Sequence, residues 1–522
     1  MIKKLLKITI AMMLFGLHSN ANNLQITNVS LASINTANHF IMIKFDISWE
    51  NSWRTNTTVP YNWDAAWIFV KYRINGDDWH HATLSPTSNQ HIAPVGSTID
   101  AVSDSVGVFM YRSANGTGTN NWINTQVRWN YGSNGVSDAA ANVEVRVLGI
   151  EMVYVPQDPF YAGDNTTIYA SFKQGSADND PWYIGSENTI SVTNSAGSGN
   201  GTGATNAEYY YVSGGMIGED ATGTAFTLQA SFPKGYNAFY CMKYEITQGQ
   251  YTEFLNILTR TQQNARVWST ITTDAISNIY VMSSTASVTY RNYIVCPTSG
   301  NGTTNPILFS CSTPDIACNF LCWADGTAYT DWAGLRPMSE LEFEKACRGP
   351  LAAVSGEYAW GTATIATSPY TLSNAGAASE AIATNYSSSA GNASYNTAIG
   401  SSIKSPLRVG IFAANAGNTG RITSDAGYYG AMELSGNLCE RIVTVGNPIG
   451  RGYTGSNGNG ILSTVGNADV AYWPDNTATG SGFRGGGWSD GANYLNVSDR
   501  DGAASKVNYR YYEYGFRAVR CP

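Results

Sequence analysis

Apolar and polar residues alternate along several short stretches in the first third of the chain. The stretch HFIMIKFDISW places five apolar side chains on one face at a period of two: Ile41, Ile43, Phe45, Ile47 and Trp49. The stretches AAWIFVKYRI, VGVFMYR, TQVRWNY and ANVEVRVLGI follow a similar alternation, and polar, glycine-rich turns separate them. Several short strands without convincing helices predict an all-β sandwich over residues 22–148.

From residue 149 onward, turn residues are dense and helical periodicity is confined to three places. The segment EITQGQYTEFLNIL carries an apolar stripe made of Tyr251, Phe254, Leu255 and Leu258. The segment ACNFLCWADGTAYTDWAG ends at Gly334, a residue type that commonly follows a helix C-terminus. A shorter helix is predicted in SELEFEKAC, where Ser339 and Glu342 have the spacing of a capping box. The fold class predicted from these patterns is α+β, with little regular secondary structure after the sandwich.

The N-terminal sequence MIKKLLKITIAMMLFGLHSNANN has the three parts of a secretory signal peptide. Three lysines precede an apolar run, and Ser19, Asn20 and Ala21 form a small-x-small cleavage pattern. The apolar run is too short for a transmembrane anchor. We therefore predict that residues 1–21 are removed on export and that the mature protein is secreted or otherwise extracytoplasmic.

Composition narrows the classes of function. Hydrophobic residues make up 43% of the chain, which is enough to bury a core and excludes a disordered protein. The formal net charge is −8 and no run of basic residues occurs, so nucleic acid is not an expected partner. No segment after the signal peptide is apolar enough to predict membrane insertion.

Histidine and cysteine are unevenly distributed along the chain. The five histidines are His18, His39, His80, His81 and His91. Adjacent residues on a strand face opposite ways, so His80 and His81 are expected to be a solvated loop pair rather than joint ligands. All eight cysteines lie beyond residue 240, and the sequence leaves their pairing open. Cys318 and Cys322, at i and i+4, could share a helix face as a metal or redox pair, or be structural disulfides or buried thiols.

Seven sequence blocks resemble the formylglycine-generating enzyme (sulfatase-modifying factor) domain and occur in that family's order. They are MVYVP at 152–156, FYAGD at 160–164, FYCMKYEITQGQYTEFLN at 239–256, WADGTAYTDWAGLRPMSELEFEKACRG at 323–349, MELSGNLCERIV at 432–443, FRGGGWSD at 483–490 and YGFRAVR at 514–520. The resemblance covers about residues 149–522 and implies a C-type-lectin-like fold for that part of the chain.

The chain departs from the enzymes of this family at their catalytic positions. Those enzymes bind copper through two cysteines that follow the Arg-Gly-Gly motif, and they oxidise a substrate cysteine. Asp490 stands where the first of these cysteines is expected, and no cysteine lies between Cys439 and Cys521. A thiolate copper site needs thiolates, and a second branch of the family binds iron through histidines, of which none follows His91. Neither copper nor iron is therefore expected, and the sequence favours a protein without catalytic activity.

Calcium is the metal that the resemblance leaves open. The family binds calcium around its Ser-Gly-Asn segment, where Glu433 and Glu440 would offer carboxylates and Gly436 and Leu438 would offer backbone carbonyls. Asn385 resembles a ligand of the family's other calcium ion, although the expected downstream Asp partner is missing. The alternative is that these residues only hydrogen-bond loop backbone.

The segment between Gly487 and Gly515 has the composition of a binding surface. It is rich in Tyr, Asn, Ser, Asp and Arg, as antibody paratopes are. The candidate ligand-binding residues are Asp490, Asn493, Tyr494, Asp499, Tyr509, Tyr511, Tyr512 and Tyr514. Arg484, Trp488, Arg500, Phe516 and Arg517 are instead expected to build the core. The segment also resembles that of variable proteins of diversity-generating retroelements, which share the implied fold.

The sequence thus favours a secreted, non-catalytic protein that binds an extracellular protein or glycan through its C-terminal surface. One alternative is a metal-dependent oxidoreductase of the same family with an atypical site. Another is a structural component of the cell envelope or of a motility apparatus.

Overall fold

The computed structural model describes residues 23–164, 171–174, 181–192, 209–211 and 225–522. The signal peptide predicted at residues 1–21 lies outside the described residues. Among the residues that the structure describes, no helix combines the length and the apolar character needed to cross a membrane.

Strands are numerous and helices are short. Strands β1 to β8 comprise Gln25–Asn35, Phe40–Arg54, Asp64–Ile74, His80–His81, Ser97–Ala101, Val108–Arg112, Gly116–Trp129 and Val143–Val155. Strands β9 to β16 comprise Phe160–Ala162, Phe172–Gln174, Trp182–Ile184, Ile190–Val192, Tyr209–Tyr211, Phe226–Leu228, Phe239–Met242 and Ile294–Val295. Strands β17 to β24 comprise Ser310–Cys311, Arg336–Pro337, Thr371–Ser373, Ala381–Thr384, Cys439–Val443, Ser481–Arg484, Tyr514–Gly515 and Ala518–Arg520. Helices α1 to α6 comprise Gln248–Leu255, Arg260–Arg266, Trp323–Trp332, Glu340–Arg348, Asn396–Ile403 and Pro448–Arg451. This mixture, with a β-rich N-terminal part, confirms the predicted α+β class.

The N-terminal strands form two sheets that pack face to face. An antiparallel sheet of order β1-β2-β7 lies against a second sheet that contains β3, β5, β6 and β8. The five apolar residues predicted to share a face of β2 are all buried, and Ile43 and Phe45 belong to the same apolar cluster as Ile68 and Met110. The alternation in β2 was therefore a correct guide to which face is buried.

Strand β3 differs from β2 because both of its faces are buried. Ala66, Ile68 and Val70 face the sandwich cluster, whereas Ala65, Trp67 and Phe69 belong to the large cluster built mainly from the C-terminal part of the chain. The indole Nε1 of Trp67 donates a hydrogen bond to the Ala333 carbonyl at 2.8 Å. The second sheet of the sandwich is thus covered on its other side by the rest of the protein.

Strand β8 joins the two parts of the molecule within a single sheet. The sheet has the order β18-β24-β15-β8-β3-β6-β5, with β4 paired to β3, and its neighbouring strands are antiparallel. Val153 lies opposite Asp64 of β3 on one side and Cys241 of β15 on the other. The predicted boundary between residues 148 and 149 falls inside β8, and the division of the chain into domains stays a prediction.

Helix α4 begins where its capping residues predict. Ser339 Oγ accepts a hydrogen bond from the Glu342 amide at 3.1 Å, and the Glu342 carboxylate accepts one from the Ser339 amide at 3.0 Å, so α4 starts with the predicted capping box. Helix α3 ends at Trp332, and Gly334 follows with a φ of 70°.

Cys322 caps α3 at its N-terminus and Cys318 precedes the helix, so the two thiols do not share a helix face. None of the eight cysteines, all of which are described, forms a disulfide.

The expectation that His81 belongs to a solvated loop pair is wrong. His80 is exposed, but His81 is buried, with Nδ1 3.0 Å from the Lys71 ammonium and Nε2 2.7 Å from the Val106 carbonyl. Lys71 also donates to the carbonyls of Trp332 and Gly460, each at 2.7 Å. Burial, followed by the charge of Lys71, holds the pKa of His81 well below its usual range. This polar contact therefore helps to join the sandwich to the C-terminal part.

Candidate binding surface

Six aromatic rings from three chain segments form a continuous group near the C-terminus. We call this group the aromatic patch; it consists of Tyr290, Trp488, Tyr509, Tyr511, Tyr512 and Tyr514. Tyr512 lies at its centre, with ring centroids 4.0 Å from Tyr511, 4.4 Å from Tyr290 and 5.3 Å from Trp488. Tyr511 lies 5.2 Å from Tyr514 and 5.7 Å from Tyr509, so the contacts continue to the other edge.

The patch is open to solvent along one side. Tyr509 is 54% exposed and Tyr290 is 37% exposed, whereas Tyr511, Tyr512 and Tyr514 are half-buried. Trp488 is buried and donates its indole N–H to the Tyr512 carbonyl at 3.1 Å. Rings that are supported from below and exposed above can offer contact area without first reorganising.

The backbone beneath these rings is held by hydrogen bonds to neighbouring segments. The amides of Phe320 and Leu321 donate to the carbonyls of Tyr511 and Tyr514 at 3.0 and 3.1 Å. Strand β23, which contains Tyr514, pairs in parallel with β21. The rings are therefore placed by a fixed backbone rather than by a free loop.

A half-buried acidic floor adjoins the patch. Asp490 Oδ2 accepts a hydrogen bond from the Gly487 amide at 2.8 Å and lies 3.4 Å from the Cys439 Sγ. Ser489 Oγ donates to the Glu513 carboxylate. Burial, together with the nearby charge of Asp490, raises the pKa of Glu513 to about 7. Burial also raises the pKa of Cys439 well above its usual range, so its thiol stays protonated at neutral pH.

The other residues predicted to bind ligand lie in different settings. Asn493 and Tyr494 are exposed on the short 3₁₀ helix Ala492–Leu495, where Tyr494 is 39% exposed. Asp499 is only 6% exposed, accepts a hydrogen bond from the Asp501 amide, and has a pKa raised to about 7 by burial. Asp499 thus lies beneath the surface, whereas Asn493 and Tyr494 are accessible.

The five residues predicted to build the core are buried. Arg484 and Arg500 both contact the Glu340 carboxylate, at 3.0 and 2.8 Å. Arg517 pairs with Glu440 at 2.7 Å, and Trp488 and Phe516 are 5% and 0% exposed. A buried carboxylate shared by two guanidinium groups satisfies charges that would otherwise be costly to bury.

The residues predicted to bind calcium are placed as follows. Glu433 accepts a hydrogen bond from the Gly410 amide at 2.6 Å through Oε1, and Glu440 Oε1 accepts from Arg517. The other carboxylate oxygen of each is buried and has no hydrogen-bond partner among the described residues. Gly436 and Leu438 lie in the buried turn between them, and Asn385 is exposed and donates to the Pro369 carbonyl at 2.5 Å.

Clusters of metal-ligating side chains were not found in the described part of the chain. No group of three or more His, Cys, Asp and Glu side chains there is arranged to hold a metal ion. A calcium ion beside Glu433 and Glu440 would therefore need backbone carbonyls to complete its coordination.

Two members of this surface were not predicted from the sequence. Tyr290 reaches the patch from a loop about 200 positions before the other rings, and Glu513 contributes to the acidic floor. Tyr290 has a φ of 46°, which is uncommon for a non-glycine residue. No local pattern around Tyr290 indicates this contact, because it depends on long-range packing.

Comparison with known proteins identifies the C-terminal part of the chain. A model of the family described as sulfatase-modifying factor enzyme 1-like domain matches residues 202–522, more than half of the chain. A comparison with curated proteins gives no match.

Proposed function

The chain belongs to the sulfatase-modifying factor enzyme 1-like family, and on that premise we propose that it is a secreted, non-catalytic binding protein. It recognises a protein or glycan ligand through the aromatic patch. The observation that carries the proposal is the patch itself: a set of ordered, partly exposed rings beside an acidic floor. Aromatic rings of this kind dominate the energetics of many binding surfaces.

Contacts around Asp490 support binding rather than cysteine oxidation. Its carboxylate accepts a hydrogen bond from the Gly487 amide and faces the Cys439 thiol, so it organises the floor of the patch. Cys439 is buried, and its raised pKa disfavours the thiolate that would bind a soft metal or attack a substrate.

Binding assays on a triple variant test the proposal. Tyr511→Ala, Tyr512→Ala and Tyr514→Ala together remove three rings of the patch, and we expect at least about tenfold weaker binding to the best ligand on a glycan array or in a pull-down from the cell surface. Tyr472→Ala is the matched control, because Tyr472 is 70% exposed and lies outside the patch. Unchanged binding by the triple variant, with its fold intact by circular dichroism, would refute the role of the patch.

Export is tested separately, by N-terminal sequencing of protein recovered from the producing cells. The proposal predicts a mature protein that begins at residue 22. A protein that keeps Met1 in the cytoplasmic fraction would contradict it.

We also propose a calcium ion at Glu433 and Glu440, completed by carbonyls of the turn that contains Gly436 and Leu438. The support is the buried, unpartnered oxygen on each carboxylate, since oxygen ligands suit calcium. Calcium at about 100 times its dissociation constant should stabilise the fold by about 2.7 kcal/mol, and EDTA should reverse the effect.

The Glu433→Gln variant is the control for calcium. It keeps the side-chain size and should lose most of the calcium-dependent stabilisation seen in thermal unfolding. Equal stabilisation of the variant and the parent protein by calcium would place any ion elsewhere.

A further inference from the structure

Six arginine side chains in the described part of the chain are less than 2% exposed, and five of them have a carboxylate partner. The paired ones are Arg336 with Glu342, Arg348 with Glu357, Arg500 with Glu340, Arg517 with Glu440 and Arg520 with Asp104. The sixth is Arg441, which is 0% exposed. Its Nε, Nη1 and Nη2 atoms all lack a hydrogen-bond partner among the described residues. Among the residues that the structure describes, no other arginine has three buried guanidinium nitrogens that all lack a hydrogen-bond partner.

Aromatic rings and thiols surround Arg441. It lies on β21, directly opposite Phe483 of β22, and its guanidinium carbon is 4.2 Å from the Phe483 ring centroid and 5.1 Å from that of Tyr514. Cys439 is two residues earlier on β21 and so projects from the same face of the strand. Arg441 therefore lies under the edge of the aromatic patch, next to the acidic floor.

The carboxylate that acts on Arg441 through its charge, Asp325, already forms ion pairs with two other arginines. Asp325 is 2.7 Å from Arg510 and 3.4 Å from Arg266, and it is the only carboxylate among the four strongest electrostatic neighbours of Arg441. The other three are Cys322, Tyr514 and Cys439, which are neutral when protonated. Stacking on Phe483 and Tyr514 stabilises the cation only modestly and leaves its N–H groups unsatisfied.

A buried guanidinium with no partner is costly, and fixed N–H donors in a fork suit a planar or spherical anion. We propose that Arg441 binds a small monovalent anion, either a halide or a small carboxylate, beneath the edge of the aromatic patch. Arg441 is 0% exposed, which favours a small ion, and a single guanidinium matches a single negative charge. The same carboxylate chemistry could arrive as a free ion or as an acidic group of the patch's ligand, and a stabilisation by formate in the absence of that ligand assigns it to the free ion.

The first test is crystallography of the full chain with sodium bromide. We expect an anomalous bromine peak within hydrogen-bonding distance of the Arg441 guanidinium. Absence of a peak there, in crystals that show bromide elsewhere, would overturn the assignment of the site to a free halide.

The second test is thermal unfolding at constant ionic strength, with sodium gluconate replaced by sodium bromide or sodium formate. Gluconate is a much larger anion than bromide or formate, so it serves as the background salt. We expect the midpoint of the parent protein to rise by about 2 °C or more, because an anion bound only to the folded state stabilises it. Arg441→Met should lose this rise, and Lys506→Met, which removes an exposed charge, should keep it.

Each outcome of these tests decides the proposal. A rise in Arg441→Met equal to that of the parent protein would show a general salt effect and overturn it. A response to formate without one to bromide would assign the site to a free carboxylate, and the absence of a response to either salt would overturn the proposal. If Arg441→Met does not fold, Arg441→Lys, which keeps the charge but not the fork, should show a smaller rise than the parent, and an equal rise would contradict the role of the fork.

Discussion

The sandwich and the aromatic patch use the same kinds of side chain in opposite ways. Trp49, Trp67 and Trp129 are at most 1% exposed. The rings of Trp49 and Trp129 fill the interior of the sandwich, and that of Trp67 is packed between the sandwich and the C-terminal part. Tyr290 and Tyr509 are 37% and 54% exposed, although they contact neighbouring rings just as closely. Rings that are packed on both sides mainly stabilise the fold, whereas rings that are packed on one side leave a face that a partner can cover.

Truncation of a sandwich ring should give the largest effect. Trp67→Ala removes a ring that lies between the two parts of the molecule and breaks its hydrogen bond to Ala333. We expect a loss of about 3–5 kcal/mol in the free energy of unfolding, measured by urea denaturation. Ile123→Ala, at a 61% exposed position of β7, is the control and should change stability by no more than about 0.5 kcal/mol. A loss below about 1 kcal/mol for Trp67→Ala would contradict the claim that this ring is structural.

A smaller effect should appear when the acidic floor of the patch titrates. The folded-state pKa of Glu513, about 7, is raised above the value of 4.5 that it has when unfolded. The folded protein therefore binds more protons between these values, so stability is present below about pH 4.5 and is lost as the pH rises toward 7. Glu513→Gln should reduce the loss of stability between pH 5 and pH 8 by about 1–2 kcal/mol.

Asp499→Asn is the matched comparison for that titration. Asp499 also has a pKa of about 7 but lies beneath the surface, and it accepts its hydrogen bond from the Asp501 amide rather than from Ser489. Both substitutions should flatten the dependence of stability on pH, whereas only Glu513→Gln should change how ligand binding depends on pH. An identical pH dependence of binding in the two variants would show that Glu513 of the acidic floor does not contribute to ligand binding.

The sequence predicted those parts of the fold that depend on local patterns. The alternation in β2 gave its buried face, and the spacing of Ser339 and Glu342 gave the start of α4, because a strand face and a capping box involve only a few neighbouring residues. The burial of strand β3 was harder to predict. Its apolar run reflects burial on two faces, and the second face is covered by residues beyond 240. His81 was predicted to be solvated because nothing near it in sequence shows that Trp332 and Gly460 pack against it.

The candidate site was predictable in composition but not in membership. The four tyrosines from 509 to 514 stand out because they are close in sequence, and the structure brings all four into ring contact. Tyr290 enters from a distant loop, and Asp499, whose residue type suggested exposure, is buried. Long-range packing, which decides both cases, leaves no periodic pattern along the chain.

Footprinting of tyrosine rings by hydroxyl radicals tests the central claim most directly. The protein is oxidised with and without the ligand identified on the array, and modification of each ring is measured by mass spectrometry. The account predicts that the ligand protects Tyr290, Tyr509 and Tyr511, while the exposed control Tyr472 is modified equally in both samples. Protection of Tyr472 with no change at the three patch rings would contradict it.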